Sequence, residues 1–371
     1  MKKIGIIGGG LAGLVSAILL ARKGFEITLF EEKRYPFHRV CGEYISNEVI
    51  PFLKEHGLYP TELKPVDITD FQLTSASGKA LTLPLDLGGF GISRYRFDEW
   101  LSRIALEAGV KIIHDRVTSC EFAEEVFEVA TRDSGESIFD LVIGSFGKRS
   151  TLDKHLQRPF ISKRSPYVGV KYHLKTSVAD PKYIALHNFR GGYCGISRVE
   201  EGRYNLCYLS SRDNLKKHGS IPSMEENVLM GNPYLREIFE KSEFLFEKPL
   251  VINEITFSSK EPVFRHILMT GDSAGMITPL CGNGMAMAIH SARILCELIE
   301  NNVANGFDRS QLELDHAQSW RKQFSRRLWA GRKIQSLFGG SALSELAVGF
   351  GRSFPPFTRK LMSRTHGQPF S

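Results

Sequence analysis

Residues 4–31 read IGIIGGGLAGLVSAILLARKGFEITLFE, and the fold turns on this stretch. Ile4, Ile6 and Ile7 predict a short apolar strand. The turn Gly8-Gly9-Gly10-Leu11-Ala12-Gly13 follows at once, and Ala12 to Lys23 predicts an apolar helix stopped by Gly24. Ile27, Leu29 and Phe30 predict a second strand with Glu31 at its end. Gly8, Gly10 and Gly13 therefore form G-x-G-x-x-G inside a complete β-α-β unit, with an acid at the spacing a dinucleotide site requires. The first glycine allows the tight turn, the second lets the main chain approach a diphosphate, and the third permits close packing of helix on strand. The helix N-terminus offers N–H groups and a positive dipole end to the anion. Glu31 is placed to accept hydrogen bonds from a ribose diol and to repel a 2′-phosphate.

The chain that carries this unit has 371 residues, 42% hydrophobic and 24% charged. That composition excludes disordered, collagen-like and coiled-coil proteins, and the length suits roughly two to three domains. The net charge is +7, yet residues 320–371 hold ten Lys and Arg against the single acid Glu345, which leaves the rest at −2. So local an excess disfavours a nucleic-acid-binding protein. Six scattered cysteines, with no C-x-x-C and no zinc spacing, predict neither a disulfide framework nor a metal site and suit a reducing, cytoplasmic setting. Residues 4–21 and 273–292 are long and nearly uncharged. Glycines interrupt the first, and Pro279 and Asn283 break the second, so neither reads as a membrane span.

Four further segments carry signals. Residues 34–46 read RYPFHRVCGEYIS, a Pro-led turn with a basic pair and Cys41-Gly42. Residues 92–109 read ISRYRFDEWLSRIALEAG, an Arg-x-x-Phe-Asp pattern opening an amphipathic helix. Residues 140–150 read DLVIGSFGKRS, an apolar strand ending in a turn. Residues 266–292 read HILMTGDSAGMITPLCGNGMAMAIHSA: a strand, Gly271-Asp272, a proline-containing loop, then a helix opened by glycine. In this order, and over residues 1 to about 310, they resemble the flavoprotein superfamily that includes p-hydroxybenzoate hydroxylase, the flavin-dependent halogenases and the geranylgeranyl reductases.

The resemblance implies FAD as cofactor, reduced by NAD(P)H or by a partner reductase. It implies that Gly8, Gly10, Leu11, Ala12, Gly13, Glu31 and Glu32 hold the adenosine diphosphate half, with Arg39, Cys41 and Arg94 contacting the cofactor nearby. Gly271 and Asp272 would meet the ribityl chain, and Gly282, Asn283, Gly284 and Met285 the isoalloxazine. The helix opened by that last loop can stabilise negative charge on reduced flavin. The implied fold is a Rossmann-like α/β FAD-binding domain of the GR2 type, formed by 1–65, 92–160 and 255–310. A mixed β-sheet substrate domain, 66–91 plus 161–254, is inserted into it, and 311–371 form a basic, apolar helical region.

Within the superfamily the chain resembles the geranylgeranyl reductase branch most. Phe146 replaces the acid that many aromatic hydroxylases carry in the turn Ser145-Phe146-Gly147, and Gly275 and Cys41-Gly42 match the reductases. The halogenase Trp-x-Trp-x-Ile-Pro motif is missing, since the three tryptophans are Trp100, Trp320 and Trp329. On the hairpin Tyr193–Leu209, where those reductases carry an aromatic strand, Cys194 and Ile196 stand in for its bulky members. The implied activity is reduction of C=C bonds in an apolar polyprenyl, polyene or lipid-like substrate. FAD-dependent monooxygenation of an aromatic or polyene substrate through a flavin hydroperoxide is the alternative, and a flavin-binding partner without turnover the second. His38, Cys41 and Cys281 are the candidates for protein acid or thiol chemistry; Tyr44, Tyr172, His173 and Tyr193 are candidate pocket donors. The tail mixes its basic residues with Leu337, Phe338, Leu343, Leu346, Phe350, Phe354, Phe357 and Leu361. Such a pattern fits helices that cap the substrate domain with cationic outer faces, or contact with a membrane surface or an acidic carrier protein presenting the substrate.

Overall fold

A computed structural model describes residues 2–162, 165–253, 255, 257–337, 345, 346, 348, 349, 351 and 367–371. The glycine-rich stretch folds as its pattern requires. Strand Lys3–Ile7, helix Leu11–Arg22 and strand Glu26–Phe30 form one β-α-β unit with the two strands parallel. Ile4 and Ile6 are fully buried, and the helix buries Leu14, Val15, Ala17 and Ile18 completely. Lys23 closes that helix and Gly24 turns the chain at φ +86°.

Strand Lys3–Ile7 lies near the centre of a six-stranded sheet whose order is Val263–Phe264, Ile267–Met269, Leu141–Gly144, Lys3–Ile7, Glu26–Phe30, Lys111–Ile113. All neighbours are parallel except the short Val263–Phe264 edge. The chain leaves Lys3–Ile7 toward Glu26–Phe30 on one side and reaches Leu141–Gly144 on the other. The order therefore reverses beside Ile7, which opens a crevice at the carboxyl ends of the strands, where open α/β sheets bind ligands. Helix Leu11–Arg22 packs between helices Arg94–Glu107 and Gly284–Ala304. Together they enclose the largest apolar cluster.

A nine-stranded mixed sheet stands over this domain. It includes Tyr44–Ser46, Val66–Thr74, Ala80–Gly91, Tyr167–Lys175, Tyr183–Phe189, Gly192–Arg198 and Tyr204–Ser211. The β signals around the Ser77-Gly78 and Glu200-Glu201-Gly202 turns become its hairpins. Two features escaped sequence reading. Tyr183–Phe189 pairs in parallel with Val66–Thr74 on one side and, through the tight turn Arg190-Gly191, antiparallel with Gly192–Arg198 on the other. A separate three-stranded meander, Val117–Ala123, Val126–Thr131 and Glu136–Phe139, covers one end of the first sheet. Tyr44–Ser46, which follows Cys41-Gly42, pairs with Gly89–Gly91 and joins the inserted sheet.

Helix Arg309–Leu337 packs along the molecule, with Trp320 and Phe324 buried. Gly275 earns its lack of a side chain here, because a Cβ would press within 3.2 Å of Leu328 on this helix. Of the tail positions, Phe338, Leu343, Phe350, Phe354, Phe357 and Leu361, the basic Arg352, Arg359, Lys360 and Arg364, and the side chain of Leu337 lie outside the described residues. Gly367–Ser371 returns to the core: Phe370 exchanges main-chain hydrogen bonds with Glu48 and Phe52, and its ring stacks on His290. Among the described residues no helix is long and apolar enough to cross a membrane.

Candidate functional site

The crevice beside Ile7 opens into a cavity of about 1240 Å³ that runs from the glycine loop to the inserted sheet. Its dinucleotide end is built on constraints visible in the sequence. Gly8 has φ +106°, and a side chain there would strike the main chain of Ser145. One on Gly13 would strike the carbonyl of Gly8, the contact that brings helix against strand. Gly10 differs: a Cβ would meet only the Arg94 guanidinium, at 3.5 Å, so its face is open to the cavity. Gly10 caps the helix without any side-chain hydrogen bond, and the first turn holds no acid. Free helix N–H groups beside a guanidinium suit a diphosphate.

Around this loop a network of charges fixes two arginines. Asp98, almost fully buried, receives Arg94 Nε and Nη2 at 2.6 and 2.7 Å and Arg39 Nε at 3.0 Å. Burial works against the Arg94 charge, but the Asp98 carboxylate outweighs it and raises the Arg94 pKa further. Arg39 also donates to Glu31 Oε2 at 2.8 Å and to the Gly9 carbonyl at 3.2 Å. Glu31 additionally accepts the Gly9 N–H at 3.0 Å and stands on the cavity wall. Glu32 pairs with Arg116 farther along the same wall.

The opposite wall comes from two turns held from behind. Gly271–Ser273 presents Asp272 to the cavity, and Ser273 Oγ accepts the Gly147 N–H at 2.8 Å, joining this turn to Ser145-Phe146-Gly147. The fully buried Arg158 donates to the Ser273 carbonyl at 2.9 Å. Lys260 donates to the carbonyls of Asp272 and Lys148 at 2.7 and 2.8 Å, and burial lowers its pKa to about 8. Beyond them helix Gly284–Ala304 starts at Asn283, without a side-chain cap or an acid in its first turn. Gly282, Gly284 and Met285 line the cavity at that point, with Gly282 in the left-handed region at φ +68°. The residues thus fit FAD: one open helix N-terminus for the diphosphate, an acid on the adenosine side, and a second open helix N-terminus beyond Asp272.

The far arm of the cavity is different in kind. Its floor is the inserted sheet, where Leu73, Leu186, Gly195 and Cys207 stand in one cross-strand row. Phe71, Leu85, Ile184, Leu250, Met276 and Leu280 complete its walls. Among the described residues, the lining supplied by the inserted sheet and by residues 276–288 carries no charge. Alternation along Gly192–Arg198 turns Tyr193, Gly195 and Ser197 toward this arm, while Cys194 packs into the core on the opposite face and Ile196 belongs to that core but also reaches the cavity wall. Of the two expected stand-ins for the aromatic strand, Cys194 thus lies one residue out of phase with the cavity, since a strand exposes every second side chain.

The candidate acids and thiols divide. His38 lines the cavity, yet burial, followed by the nearby His173 and Lys171, lowers its pKa to about 4, so it is neutral at pH 7. Cys41, Tyr44 and Tyr193 line the cavity. Cys281 ends the turn Pro279–Cys281, and its side chain lies outside the described residues. Tyr172 points the other way, donating to Glu225 at 2.9 Å. His173 is buried against Glu43. Sequence reading missed Cys207 on the floor, whose thiol burial pushes up to about 12. It also missed Asp98, although Arg94 and Asp98 at i and i+4 on one helix is a spacing that predicts an ion pair.

A family model described as NAD(P)-binding Rossmann-like domain matches residues 6–43. The chain is 24% identical to tryptophan 2-halogenase of Chondromyces crocatus, over 88% of its own length and 66% of the halogenase, so it spans about two thirds of that relative. It is 24% identical to digeranylgeranylglycerophospholipid reductase 2 of Methanopyrus kandleri, over 92% of this chain and 87% of the reductase. Kynurenine 3-monooxygenase of Debaryomyces hansenii is also 24% identical, over 81% of this chain and 72% of that enzyme. The fold matches the crystal structure of a geranylgeranyl bacteriochlorophyll reductase-like protein from Thermoplasma acidophilum with a TM-score of 0.74 at 15% identity, covering 98% and 99% of the two chains.

Proposed function

We propose that this chain, as a member of the FAD-dependent oxidoreductase superfamily, reduces carbon–carbon double bonds in an apolar, lipid-like substrate. The observation that carries the proposal is the uncharged arm that continues directly from the dinucleotide end of the cavity. A small aromatic acid would find no cation on the inserted sheet or on residues 276–288 to meet its carboxylate, and Lys148, which lines the same cavity, already donates to the Val40 carbonyl at 3.1 Å. An unpaired ion in a dry site costs several kcal/mol (roughly, as for any unpaired buried ion). A polyprenyl or polyene chain instead gains from the same walls by leaving water.

FAD, when bound, supplies hydride transfer. The residues of the chain do the rest. The Gly10 loop and the helix behind it bind the diphosphate, Glu31 the adenosine ribose, and Arg94, pinned by Asp98, completes the anion site. Asp272 would meet the ribityl chain from a turn braced by Arg158 and Lys260. The open N-terminus of helix Gly284–Ala304 favours negative charge near it. The apolar floor aligns the substrate and excludes water. A proton for the second carbon comes from a cavity hydroxyl or thiol, with Cys207 protonated at neutral pH because of its burial. NAD(P)H or a partner reductase delivers the electrons from outside.

The outer face of helix Arg309–Leu337 supports a route for such a substrate. Arg321, Lys322 and Arg326 are exposed, Trp329 is 59% exposed, and the Lys333 ammonium lies 6.0 Å from its ring. Exposed basic residues around a tryptophan fit the surface of an anionic bilayer. The same end of the helix is tied to the cavity loop, because Thr278 donates to the Gly331 carbonyl at 3.2 Å.

The test is anaerobic. Protein loaded with FAD and chemically reduced is mixed with polyprenyl alcohols and lipids. Flavin reoxidation with addition of two hydrogens per double bond, read by mass spectrometry, is expected. Failure of every polyprenyl substrate to reoxidise the flavin, together with an oxygenated product in air, overturns the reading in favour of monooxygenation.

A further inference from the structure

Glu43 occupies a conformation that its sequence does not favour. Its φ is +53°, in the left-handed region, and its side chain is fully buried. Non-glycine residues persist there only where their surroundings over-determine them, and such residues gather at functional sites. Four contacts fix this one. Its Oε1 accepts from Lys171 Nζ and from the Arg94 main-chain N–H at 2.9 Å. Its Oε2 meets His173 Nε2 at 2.6 Å, and its carbonyl accepts the Ile92 N–H at 3.2 Å. Lys171 is equally buried, and its ammonium also donates to the Arg39 carbonyl at 3.1 Å. Burial would raise the Glu43 pKa, but Lys171 and the hydrogen bond and charge of His173 outweigh it and hold it at about 2.

One ion pair therefore grips the main chain of both cofactor-facing arginines: Lys171 holds Arg39, and Glu43 holds Arg94. The grip comes from the inserted sheet. Lys171 pairs across the sheet with Cys207 and with Leu250, both on the cavity wall, so it extends the row that forms the apolar floor. Loop 39–43 covers it there, and Ser197 on the same sheet donates to the Gly42 carbonyl at 3.2 Å.

We propose that Glu43, locked by Lys171 and His173, is a positioning residue for the cofactor, setting Arg39 and Arg94 from the floor of the substrate arm. The role rests on the reading that FAD binds the glycine loop. A buried ion pair is weak evidence of stabilisation, since neutral residues of similar shape often replace one without loss of folding.

The experiment titrates FAD into apoprotein by fluorescence quenching, beside thermal melting of the FAD-free protein. The variant is Glu43→Gln/Lys171→Met, which removes both charges together and leaves neither buried alone. Its FAD affinity is expected to fall about tenfold, the equivalent of one or two hydrogen bonds, while the melting temperature of the apoprotein stays near that of wild type. A lowered melting temperature with unchanged FAD affinity makes the cluster purely structural and overturns the proposal. If the double variant does not fold, hydrogen exchange of the wild type decides. Added FAD must slow the Arg94 amide together with those of residues 39–43, and no change there overturns the proposal. A wild type that fails to bind FAD at all overturns the cofactor reading itself.

Discussion

The sharpest test of the apolar arm is Gly195→Trp. Gly195 sits in the middle of the floor row between Leu186 and Cys207. A Cβ there meets the Cys207 carbonyl at 3.6 Å and Leu186 Cδ2 at 3.8 Å, which is ordinary contact, and its backbone is not in the left-handed region. A side chain at 195 therefore fits without straining the sheet, and what it displaces is cavity. An indole laid across the floor takes about 100 Å² of contact from a bound chain, roughly half of what such a ring buries in full. At about 25 cal/mol per Å² this is ~2.5 kcal/mol, or roughly 60-fold in affinity. Dissociation constants for polyprenyl alcohols of increasing length measure it. The loss is expected for chains long enough to reach the floor, with short chains, FAD affinity and melting temperature unaffected, and with Gly195→Ala close to wild type. Equal affinity for long chains in Gly195→Trp, or loss of FAD in step with loss of substrate, would refute the assignment of this floor to substrate.

Gly13→Ala forces a side chain onto the Gly8 carbonyl; the purified protein is expected to lose FAD and about 2 kcal/mol of stability, as overpacking typically costs, read by bound-flavin absorbance and denaturant melts. Asp98→Ala leaves Arg94 and Arg39 without their shared carboxylate; a loss of about 3 kcal/mol is expected, the low end for a broken buried pair, because the Arg39 side chain retains 28% exposure. Stability should also fall on mild acidification. Burial lowers the pKa of His187 and of His316 to about 4, so the unfolded chain takes up their protons first, and their stabilisation, complete above pH 6.5, is lost as the pH falls toward 4. At pH 5 that amounts to about 2 kcal/mol for each, and His316→Gln, which keeps a donor for the Met269 carbonyl, should flatten the pH dependence of melting. Replacing Arg321, Lys322 and Arg326 by Gln should weaken binding to phosphatidylglycerol vesicles by roughly a hundredfold, at about 1 kcal/mol per basic residue near the surface. Wild type that binds acidic carrier protein but no vesicles would replace the bilayer with that carrier.

The dinucleotide end was legible because its constraints are local. A tight turn, a close approach and a helix packed on a strand each demand glycine within six residues, and the acid closes the pattern one strand later. The Arg94 helix was legible for the same reason, since its amphipathic pattern lies within one stretch of sequence, although its ion pair with Asp98 one turn on went unread. The substrate arm was not legible in this way. Its floor is a row that crosses strands, joining Leu73, Leu186, Gly195 and Cys207 over more than a hundred residues of chain. Register alone decides which of two alternating sets faces the cavity, and one residue of slip exchanges them. That is why the hairpin Tyr193–Leu209 was legible while the turning of Cys194 away from the cavity was not.

The Glu43 cluster shows the limit from the other side. Lys171 and His173 stand at i and i+2 in VGVKYHL, so one face of an otherwise apolar strand carries two polar residues. Alternation says that they point the same way, and a buried lysine requires an acid. The sequence thus demands a partner without naming it, because Glu43 lies 128 residues away on a loop and reaches them only through a left-handed turn. Cys41-Gly42-Glu43 attracted notice for its cysteine, which could act on a substrate. In the folded protein the glutamate two residues on has the larger consequence, because it joins the apolar floor to the two arginines that line the dinucleotide end of the cavity. If both ends of this cavity must be held in one register, as proposed above, the Lys171–Glu43 ion pair is the contact that sets it.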